Sequence, residues 1–128
     1  MAKIQELNSY AVPTCNGKVL IVKMPNDLWE FPGGGVEWGE EPEKAAAREL
    51  WEETGLRAQS TKFLTVTSAT YEKNGDQKHS IYFVYLCEVG AEGPLLINKE
   101  HVDARWMMPS ELRFLKFGLN AEPILQFL

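Results

Sequence analysis

Cysteine is scarce in this 128-residue sequence, which holds only Cys15 and Cys87. Both lie in strand-like segments, and their spacing fits no metal-binding motif and no dense disulfide framework. We therefore expect both thiols to be reduced and to have a structural role.

Long hydrophobic runs are missing as well. The apolar run VLIV at residues 19–22 is far too short to cross a bilayer. The opening stretch, MAKIQELNSY, lacks the apolar centre of a signal peptide. These absences predict a cytoplasmic protein that makes no membrane contact.

Positive charge is in short supply, because 13 Lys and Arg face 18 Asp and Glu, for a formal net charge of −5. Nucleic-acid polymers and anionic membranes bind basic surfaces, so the balance argues against both as partners. A polyanionic small molecule would need the help of a cation. The length predicts a single domain, residues 1–128, with its own core.

Two Asn-Gly pairs, which are typical of tight turns, predict two β-hairpins. Asn16-Gly17 would join strands at residues 11–15 and 18–23, and Asn74-Gly75 would join a β-like run to HSIYFVYLCEV. Further short strands are expected at residues 28–31, 61–69 and 105–108.

The helical pattern is best marked in the middle of the chain. Pro42 suits a first helical position and Gly55 suits the residue past the end, so we expect a helix at 42–54. Residues 33–35 should form a glycine loop, residues 109–115 a helical turn and residues 120–127 a closing helix. Strands on both sides of a central helix predict an α+β fold with a mixed sheet and helices packed on it.

The central helix carries an unfavourable cluster of acids. Glu49 lies three and four positions before Glu52 and Glu53, and each like-charge pair at this spacing costs about 0.2–0.5 kcal/mol. The last helical turn disfavours further acids by about 0.3–1 kcal/mol, because the helix dipole is negative there. Arg48 can offset only part of this. A solvated acidic face is one explanation, but such a conflict with local preference also indicates function.

Two neighbouring features favour a metal site. An apolar stripe of Ala46, Ala47, Leu50 and Trp51 should orient the helix and point the carboxylates away from the core. The loop FPGGG just before the helix lets the backbone come close to a ligand. Carboxylates beside such a loop suit Mg²⁺ or Mn²⁺, which takes oxygen ligands, keeps several waters and binds phosphate oxygens.

Residues 34–56 resemble the Nudix box, the signature of the Nudix hydrolases, whose pattern is G-x5-E-x7-R-E-U-x-E-E-x-G-U with U apolar. Every defined position is filled, by Gly34, Glu40, Arg48, Glu49, Leu50, Glu52, Glu53, Gly55 and Leu56. The resemblance implies the family's α/β/α sandwich. It also implies hydrolysis of a pyrophosphate bond in a nucleoside diphosphate-linked substrate, with Mg²⁺ or Mn²⁺ as cofactor.

The resemblance assigns roles to the acids of the box. Glu52 and Glu53 would be direct metal ligands, and Glu49 a ligand or the base that deprotonates the attacking water. The carbonyl of Gly33 or Gly34 would be a further ligand. The metal would draw charge from phosphate oxygens and lower the pKa of bound water, and a neighbouring carboxylate would take the proton.

Supporting roles follow from the same resemblance. Arg48 would orient the carboxylates and Glu40 would support the loop. Glu41 stands where the family often has a Ser or Thr cap, and its carboxylate could still accept from the first helical amides. Many members take the base from a later loop, where Glu100 and Asp103 are the candidates here, unless that segment is a plain surface loop.

The segments WEFPGG and LNAEPILQFL resemble the short nucleoside triphosphate pyrophosphohydrolases of the MutT type, whose products are a nucleoside monophosphate and pyrophosphate. On that basis an ordinary or oxidised nucleoside triphosphate is the expected substrate. Lys23 would contact phosphate, Asn120 would either contact the base or cap the closing helix, and Phe31 would flank the base or belong to the core.

Other functions are less well supported by the sequence. ADP-ribose hydrolases tend to carry a proline about fifteen residues past the box, and this sequence has none there. Tyr71 falls near a tyrosine of dinucleoside polyphosphate hydrolases. A non-catalytic nucleotide sensor would usually have lost box carboxylates. His79 and His101 are expected to be structural or exposed, and Trp38 is the best stacking candidate among the tryptophans. The number of metal ions and the oligomeric state, including a homodimer, stay open.

Overall fold

The computed structural model describes residues 1–95 and 98–128 of the chain. In this part it has seven strands, one α-helix and two short 3₁₀ helices. The strands are β1 (Lys3–Cys15), β2 (Lys18–Lys23), β3 (Trp29–Glu30), β4 (Gly33–Gly35), β5 (Ser60–Lys73), β6 (Asp76–Glu88) and β7 (Asp103–Met107). The α-helix, α1, is Pro42–Thr54, and the 3₁₀ helices are Pro109–Phe114 and Glu122–Phe127.

The sheet is built around β1. Its neighbours follow the order β3-β2-β1-β6-β5, with β4 also paired to β1 and β7 to β2. β1 runs parallel to β6 and antiparallel to β2 and β4. Parallel and antiparallel pairs together make the mixed sheet that the sequence predicts.

Both predicted hairpins are confirmed. Asn16 and Gly17 connect β1 to β2 with φ angles of 52° and 76°, and Asn74 and Gly75 connect β5 to β6 with 53° and 82°. Two consecutive residues with positive φ are what a type I′ turn requires, and Asn followed by Gly adopts them at little cost.

Side chains alternate across β1, so the sheet has two covered faces. Tyr10 and Val12 pack with Leu112 and Ile124, which belong to the two 3₁₀ helices. The intervening Ala11 packs on the opposite face with apolar residues of α1. The α+β class is therefore confirmed, with α1 on one face of the sheet and the 3₁₀ helices on the other. Among the helices described, none is long and apolar enough to cross a membrane.

α1 begins and ends where the sequence predicts, and the amide of Gly55 closes it by donating to the carbonyl of Trp51. Its apolar stripe is shifted, however. Ala45, Ala46 and Leu50 are buried, whereas Trp51 is 46% exposed. Including Trp51 in the stripe was wrong, because it lies a full helical step of about 100° beyond Leu50. The Arg57 guanidinium covers its ring at 4.1 Å instead.

The predicted glycine loop is a strand. β4 pairs antiparallel with Asn8–Tyr10 of β1, and a Cβ on Gly33 would collide with the Ser9 carbonyl and the Tyr10 ring. Glycine is therefore needed for close packing of two backbones, and this brings β4 directly under α1.

The closing helix differs most from the prediction. It starts at Glu122 rather than at residue 120 and is a six-residue 3₁₀ helix. β1 and β5 are also longer than expected, at 13 and 14 residues. Their extra residues are mostly polar, as in KIQELN, and pairing with β6 rather than local hydrophobic pattern holds them in the sheet.

The register of α1 predicts unequal costs for two adjacent apolar residues. Leu50→Ala should lower the free energy of unfolding by about 2–5 kcal/mol, because it opens a cavity under a fully buried side chain. Trp51→Ala should cost under about 1 kcal/mol, because the ring is half exposed. Urea denaturation of the metal-free proteins measures both values, and equal losses would contradict this register.

Candidate active site

The three acids of α1 differ sharply in exposure. Glu53 is 5% exposed as a residue, the Glu49 side chain is 17% exposed and the Glu52 side chain is 47% exposed. The expectation that all three carboxylates point away from the core is therefore wrong for Glu53. The helix turns its last acid inward, towards β4.

The Glu53 carboxylate has a donor on each oxygen. Its Oε2 accepts from the Gly33 amide at 2.9 Å, and its Oε1 lies 3.1 Å from His101 Nε2. The Gly33 amide is available because bonds to β1 alternate along this stretch and fall on other positions: Ala11 donates to the Pro32 carbonyl, and Val36 donates to the Leu7 carbonyl. The pairing pattern of β4 thus supplies a backbone donor to the site.

Glu49 occupies space that a glycine leaves open. A Cβ on Gly34 would stand 2.7 Å from Glu49 Oε1, so any side chain there would displace the carboxylate. Burial, followed by the hydrogen bond and the charge of Glu53, raises the pKa of Glu49 to about 7, although Arg48 opposes the shift. Without a cation, the two acids retain a shared proton close to neutral pH.

Arg48 connects the remaining acids. Its guanidinium donates to Glu40 at 2.8 and 2.9 Å, to Glu49 at 3.0 Å and to Glu52 at 2.7 Å. A further bond runs to the Gly35 carbonyl at 3.0 Å. The bonds to Glu40 raise the pKa of Arg48 above its ordinary value and lower the pKa of Glu40. Arg48 therefore holds α1 and the end of β4 in one arrangement.

Glu40 supports the loop before α1 through side-chain hydrogen bonds, whereas the next residue, Glu41, does not. Glu40 Oε1 also accepts from the Glu37 amide at 3.0 Å. Glu41 is the N-cap residue of α1, yet its side chain makes no capping hydrogen bond. The capping role expected for Glu41 is therefore wrong, and Pro42, which has no N–H to satisfy, reduces the need for it.

The oxygen donors of the site are of the kind that a hard divalent cation binds, but they do not form a complete coordination geometry. In the described part of the chain, no three His, Cys, Asp or Glu side chains stand in a ready metal-ligand arrangement. Mg²⁺ does not demand one, because it keeps several waters and is often bound by one or two carboxylates. Oxygen donors crowded enough to retain a proton suit such a cation, which would replace that proton.

In the loop predicted to supply a base, it is His101 rather than Glu100 or Asp103 that contacts an acid of the site. Glu100 is exposed, and Asp103 is bound to Arg105 at 3.0 Å. His101, which lies between them, is buried against Glu53. The sequence shows the polar run NKEHVDARW but not which of its residues faces inward, since that depends on where β7 joins β2.

Lys23 and Phe31 are placed by the sheet. Lys23 Nζ lies 3.6 Å from an Asp27 carboxylate oxygen and 5.7 Å from the centre of the Trp29 ring. Phe31 is 2% exposed and stacks on Phe117. Of the two uses considered for Phe31, the structure favours the core over direct contact with a base.

Asn120 is buried, but not as a helix cap. The residue before the last 3₁₀ helix is Ala121, so the capping role expected for Asn120 is wrong. Its carbonyl accepts from Thr67 Oγ1 at 2.8 Å, which ties it to β5. Its side-chain Oδ1 is buried with no hydrogen-bond partner among the described residues. An unpaired buried acceptor of this kind is ready to meet a donor on a ligand.

A second buried acid was missed from the sequence. Glu30, on β3, accepts a hydrogen bond from the Tyr10 hydroxyl at 2.8 Å, and Tyr10 stacks on Tyr82 at 3.9 Å. Burial raises the pKa of Glu30, although Tyr10 and His101 oppose the shift. The only available signal was one acid inside an apolar segment, LWEFP, which did not show which face it would occupy.

Other side chains singled out from the sequence lie elsewhere. Tyr71 and His79 line a cavity of about 590 Å³ at the far ends of β1, β5 and β6, and no α1 residue lines that cavity. The His79 ring nitrogen Nδ1 is 3.1 Å from Gln5 Nε2. Trp38 is fully exposed in the loop before α1.

Comparison with known proteins assigns this chain to a family. The sequence profile of the NUDIX domain matches residues 7–128, so the chain belongs to the NUDIX family. Members of this family act on nucleoside diphosphate derivatives and generally use divalent metal ions.

Particular relatives share most of this chain. It is 31% identical over 98 residues to a MutT-like protein of Streptomyces ambofaciens, covering 76% of this chain and 59% of that protein. It is 36% identical over 112 residues to the nucleoside triphosphatase NudI of Escherichia coli O139:H28, covering 76% of this chain and 77% of NudI. The chain thus spans about three-fifths of the Streptomyces relative.

One solved structure matches nearly end to end. A crystal structure of a MutT NUDIX hydrolase from Burkholderia pseudomallei superimposes with a TM-score of 0.83 at 25% identity, covering 98% of both chains. The curled mixed sheet with one long helix is therefore the NUDIX fold.

The shared proton of Glu49 predicts a pH-dependent stability in metal-free protein. Its pKa is about 7 in the folded chain against an ordinary value of 4.5, so the folded state binds the proton more tightly. This contribution is complete below about pH 4.5 and is lost as the pH rises through about 7. Glu49→Gln lacks this loss, so its melting temperature should gain on wild type between pH 5 and pH 8.

Thermal unfolding in EDTA at both pH values measures the difference. Glu52→Gln is the matched control, because it also removes an acid that contacts Arg48 but leaves the Glu49 and Glu53 pair intact. It should retain the wild-type pH dependence. Parallel curves for Glu49→Gln and wild type would contradict the shared proton.

Proposed function

We propose that this chain is a Mg²⁺- or Mn²⁺-dependent pyrophosphohydrolase that converts a nucleoside triphosphate, ordinary or oxidised, to a nucleoside monophosphate and pyrophosphate. The observation that carries the proposal is the packing of Glu49 and Glu53 against the glycine strand. Burial there, followed by the hydrogen bond and the charge of Glu53, raises the pKa of Glu49 to about 7. Acids held this close lower the stability of the metal-free protein, and a divalent cation removes that penalty.

The residues of the proposed site have two kinds of role: some would contact the cation or the attacking water, and Arg48 would hold them in place. Glu52 and Glu53, with the carbonyl of Gly33, would hold the cation, and Glu49 would be a further ligand or accept a proton from the attacking water. A bound cation would supply charge neutralisation on the phosphate oxygens and a lowered pKa for nearby water. Arg48 acts by fixing the carboxylates, since its donors are directed at the carboxylate oxygens of three acids and at the Gly35 carbonyl.

The overall reaction consumes one water. Its oxygen forms a new bond to phosphorus, and the phosphoanhydride oxygen leaves with pyrophosphate or with the monophosphate, depending on which phosphorus is attacked. A carboxylate accepts the proton that the water gives up. Glu49 suits this step because burial and the neighbouring Glu53 raise its pKa to about 7, close to neutral pH.

A nucleoside triphosphate is favoured over other phosphoanhydrides by two observations. The relatives of this chain include a nucleoside triphosphatase and a MutT-like protein. The Asn120 side chain also offers a buried oxygen, unpaired within the described part of the chain, that could accept from an amino or imino group of a base. Lys23 remains the proposed phosphate contact, and its pairing with exposed Asp27 is weak enough to be exchanged for phosphate.

Product analysis tests the proposal directly. The protein is incubated with Mg²⁺ and a panel of dNTPs, 8-oxo-dGTP, ADP-ribose and diadenosine polyphosphates, and the products are separated by ion-exchange chromatography. We expect a monophosphate and pyrophosphate from at least one triphosphate. Turnover of only ADP-ribose or a dinucleotide would change the substrate class, and metal-dependent nucleotide binding without any turnover would make the chain a sensor.

The role of Glu53 gives a second prediction. Glu53→Gln should lower kcat by roughly a hundredfold or more, since changing a residue that merely supports a metal ligand already costs about 10- to 100-fold. Glu43→Gln, an exposed acid in the first turn of the same helix, should retain wild-type turnover. Steady-state kinetics at saturating Mg²⁺ measures both, and near-wild-type turnover by Glu53→Gln would remove the metal assignment.

Glu53→Gln should also melt at a lower temperature than wild type in EDTA. The amide can accept from only one of the two donors that now face the carboxylate, Gly33 N and His101 Nε2. A buried donor left unpaired costs about 1–3 kcal/mol. Kinetics should therefore be recorded at a temperature where circular dichroism shows the variant folded.

A further inference from the structure

One buried contact near the acids belongs to no motif of the sequence. The side chains of His101 and Glu53 are 4% and 6% exposed, and His101 Nε2 is 3.1 Å from Glu53 Oε1. The two residues come from distant segments of the chain, one from the loop before β7 and the other from the last turn of α1.

The backbone places His101 firmly. The next residue, Val102, donates to the Lys23 carbonyl at 2.8 Å, which joins the loop to β2 just before the β7 register begins. On the other side, the amide of His101 donates to the Asn98 carbonyl and that of Glu100 to Asn98 Oδ1. The backbone that carries the imidazole is thus tied to β2 on one side and closed into a turn on the other.

The contact leaves room for a cation on Glu53. Each carboxylate oxygen can accept about two bonds. Glu53 uses one on each oxygen for Gly33 N and His101 Nε2, and a third position for the proton that it shares with Glu49, which a cation would replace. Two donors on different oxygens fix the rotation of the carboxyl group about its terminal bond. The remaining lone pairs then point in a constant direction.

A structural role alone explains this histidine poorly. A carboxylate only accepts, so the bond places the proton on Nε2, and Nδ1 is then a buried ring nitrogen with no partner among the described residues. An apolar side chain of similar size would fill the same space without that unpaired atom. His101 is also shielded from solvent by its burial and faces an acid, so it is badly placed to act as the base itself.

We propose that His101 is a positioning residue, which holds the Glu53 carboxylate in the orientation that binds the divalent cation. The inference rests on the proposed function only in taking Glu53 as a cation ligand. It means that the loop at residues 98–102 contributes to metal affinity without touching the metal.

The test measures Mn²⁺ binding by the full chain without nucleotide, from the electron paramagnetic resonance signal of free Mn²⁺. His101→Leu removes the donor and should weaken binding by about 10- to 100-fold. His101→Gln places an amide N–H near the position of Nε2 and should stay within a few-fold of wild type. His101→Asn, whose amide is too short to reach Glu53, should behave like His101→Leu. His79→Leu, which changes the chain's other histidine in the remote cavity, should leave the affinity unchanged.

Kinetics with Mg²⁺ supplies the second readout. In His101→Leu and His101→Asn the Mg²⁺ concentration for half-maximal activity should rise, while the KM for nucleotide at saturating Mg²⁺ changes little. Circular dichroism in EDTA shows which variants fold. If His101→Leu does not fold, the comparison of His101→Gln with His101→Asn still tests the positioning role.

The outcomes separate the two proposals. Wild-type Mn²⁺ affinity in a folded His101→Leu or His101→Asn variant would overturn the positioning role and leave the proposed function intact. Equal loss in His101→Gln would also overturn it, because the donor would then not be what matters. Failure of the wild-type protein to bind Mn²⁺ would overturn the metal assignment and the positioning role together.

Discussion

The contact between the acidic end of α1 and the glycine strand β4 is the constraint on which the rest of the site depends. Gly33 and Gly34 leave no side chain between strand and helix, so Glu53 and Glu49 lie directly on backbone. Burial, the shared proton and the reach of Arg48 to the Gly35 carbonyl all follow from that closeness. A larger residue at either glycine would separate the acids from the groups that orient them.

This arrangement brings several destabilising electrostatic interactions together, and neighbouring contacts offset them. Like charges adjoin at the negative end of a helix, and one carboxylate is buried. Arg48 offsets part of the repulsion by binding acids on both sides, and the Gly33 amide and His101 satisfy the buried oxygens. The stabilising contacts thus surround the acids and leave their remaining lone pairs for a ligand, as expected where function overrides local preference.

What could be predicted from sequence was whatever local chemistry determines. The Asn-Gly turns and the limits of α1 between Pro42 and Gly55 follow from backbone preferences of those residues. The grouping of Glu49, Glu52 and Glu53 follows from helical spacing alone. Arg48 is adjacent to them in sequence, so its contact with Glu52 was also within reach.

The remainder depends on contacts between distant segments. His101 meets Glu53 only because Val102 binds the Lys23 carbonyl, and no local pattern shows that. Glu30 is buried because β3 lies between β2 and the segment at Phe117. The expected cap roles of Glu41 and Asn120 failed in different ways. Glu41 occupies the N-cap position without a side-chain hydrogen bond, and the last 3₁₀ helix starts after Ala121 rather than after Asn120.

The parallel pairing of β1 with β6 has a consequence for how the chain reaches this structure. Partners such as Gln5 and His79 are 74 positions apart, so the central strand finds its neighbour only after most of the chain is available. Closing so large a loop is entropically costly, and folds dominated by such distant pairs fold slowly. During synthesis β1 must wait for β6 to emerge, and until then the first hairpin has one edge open to other chains.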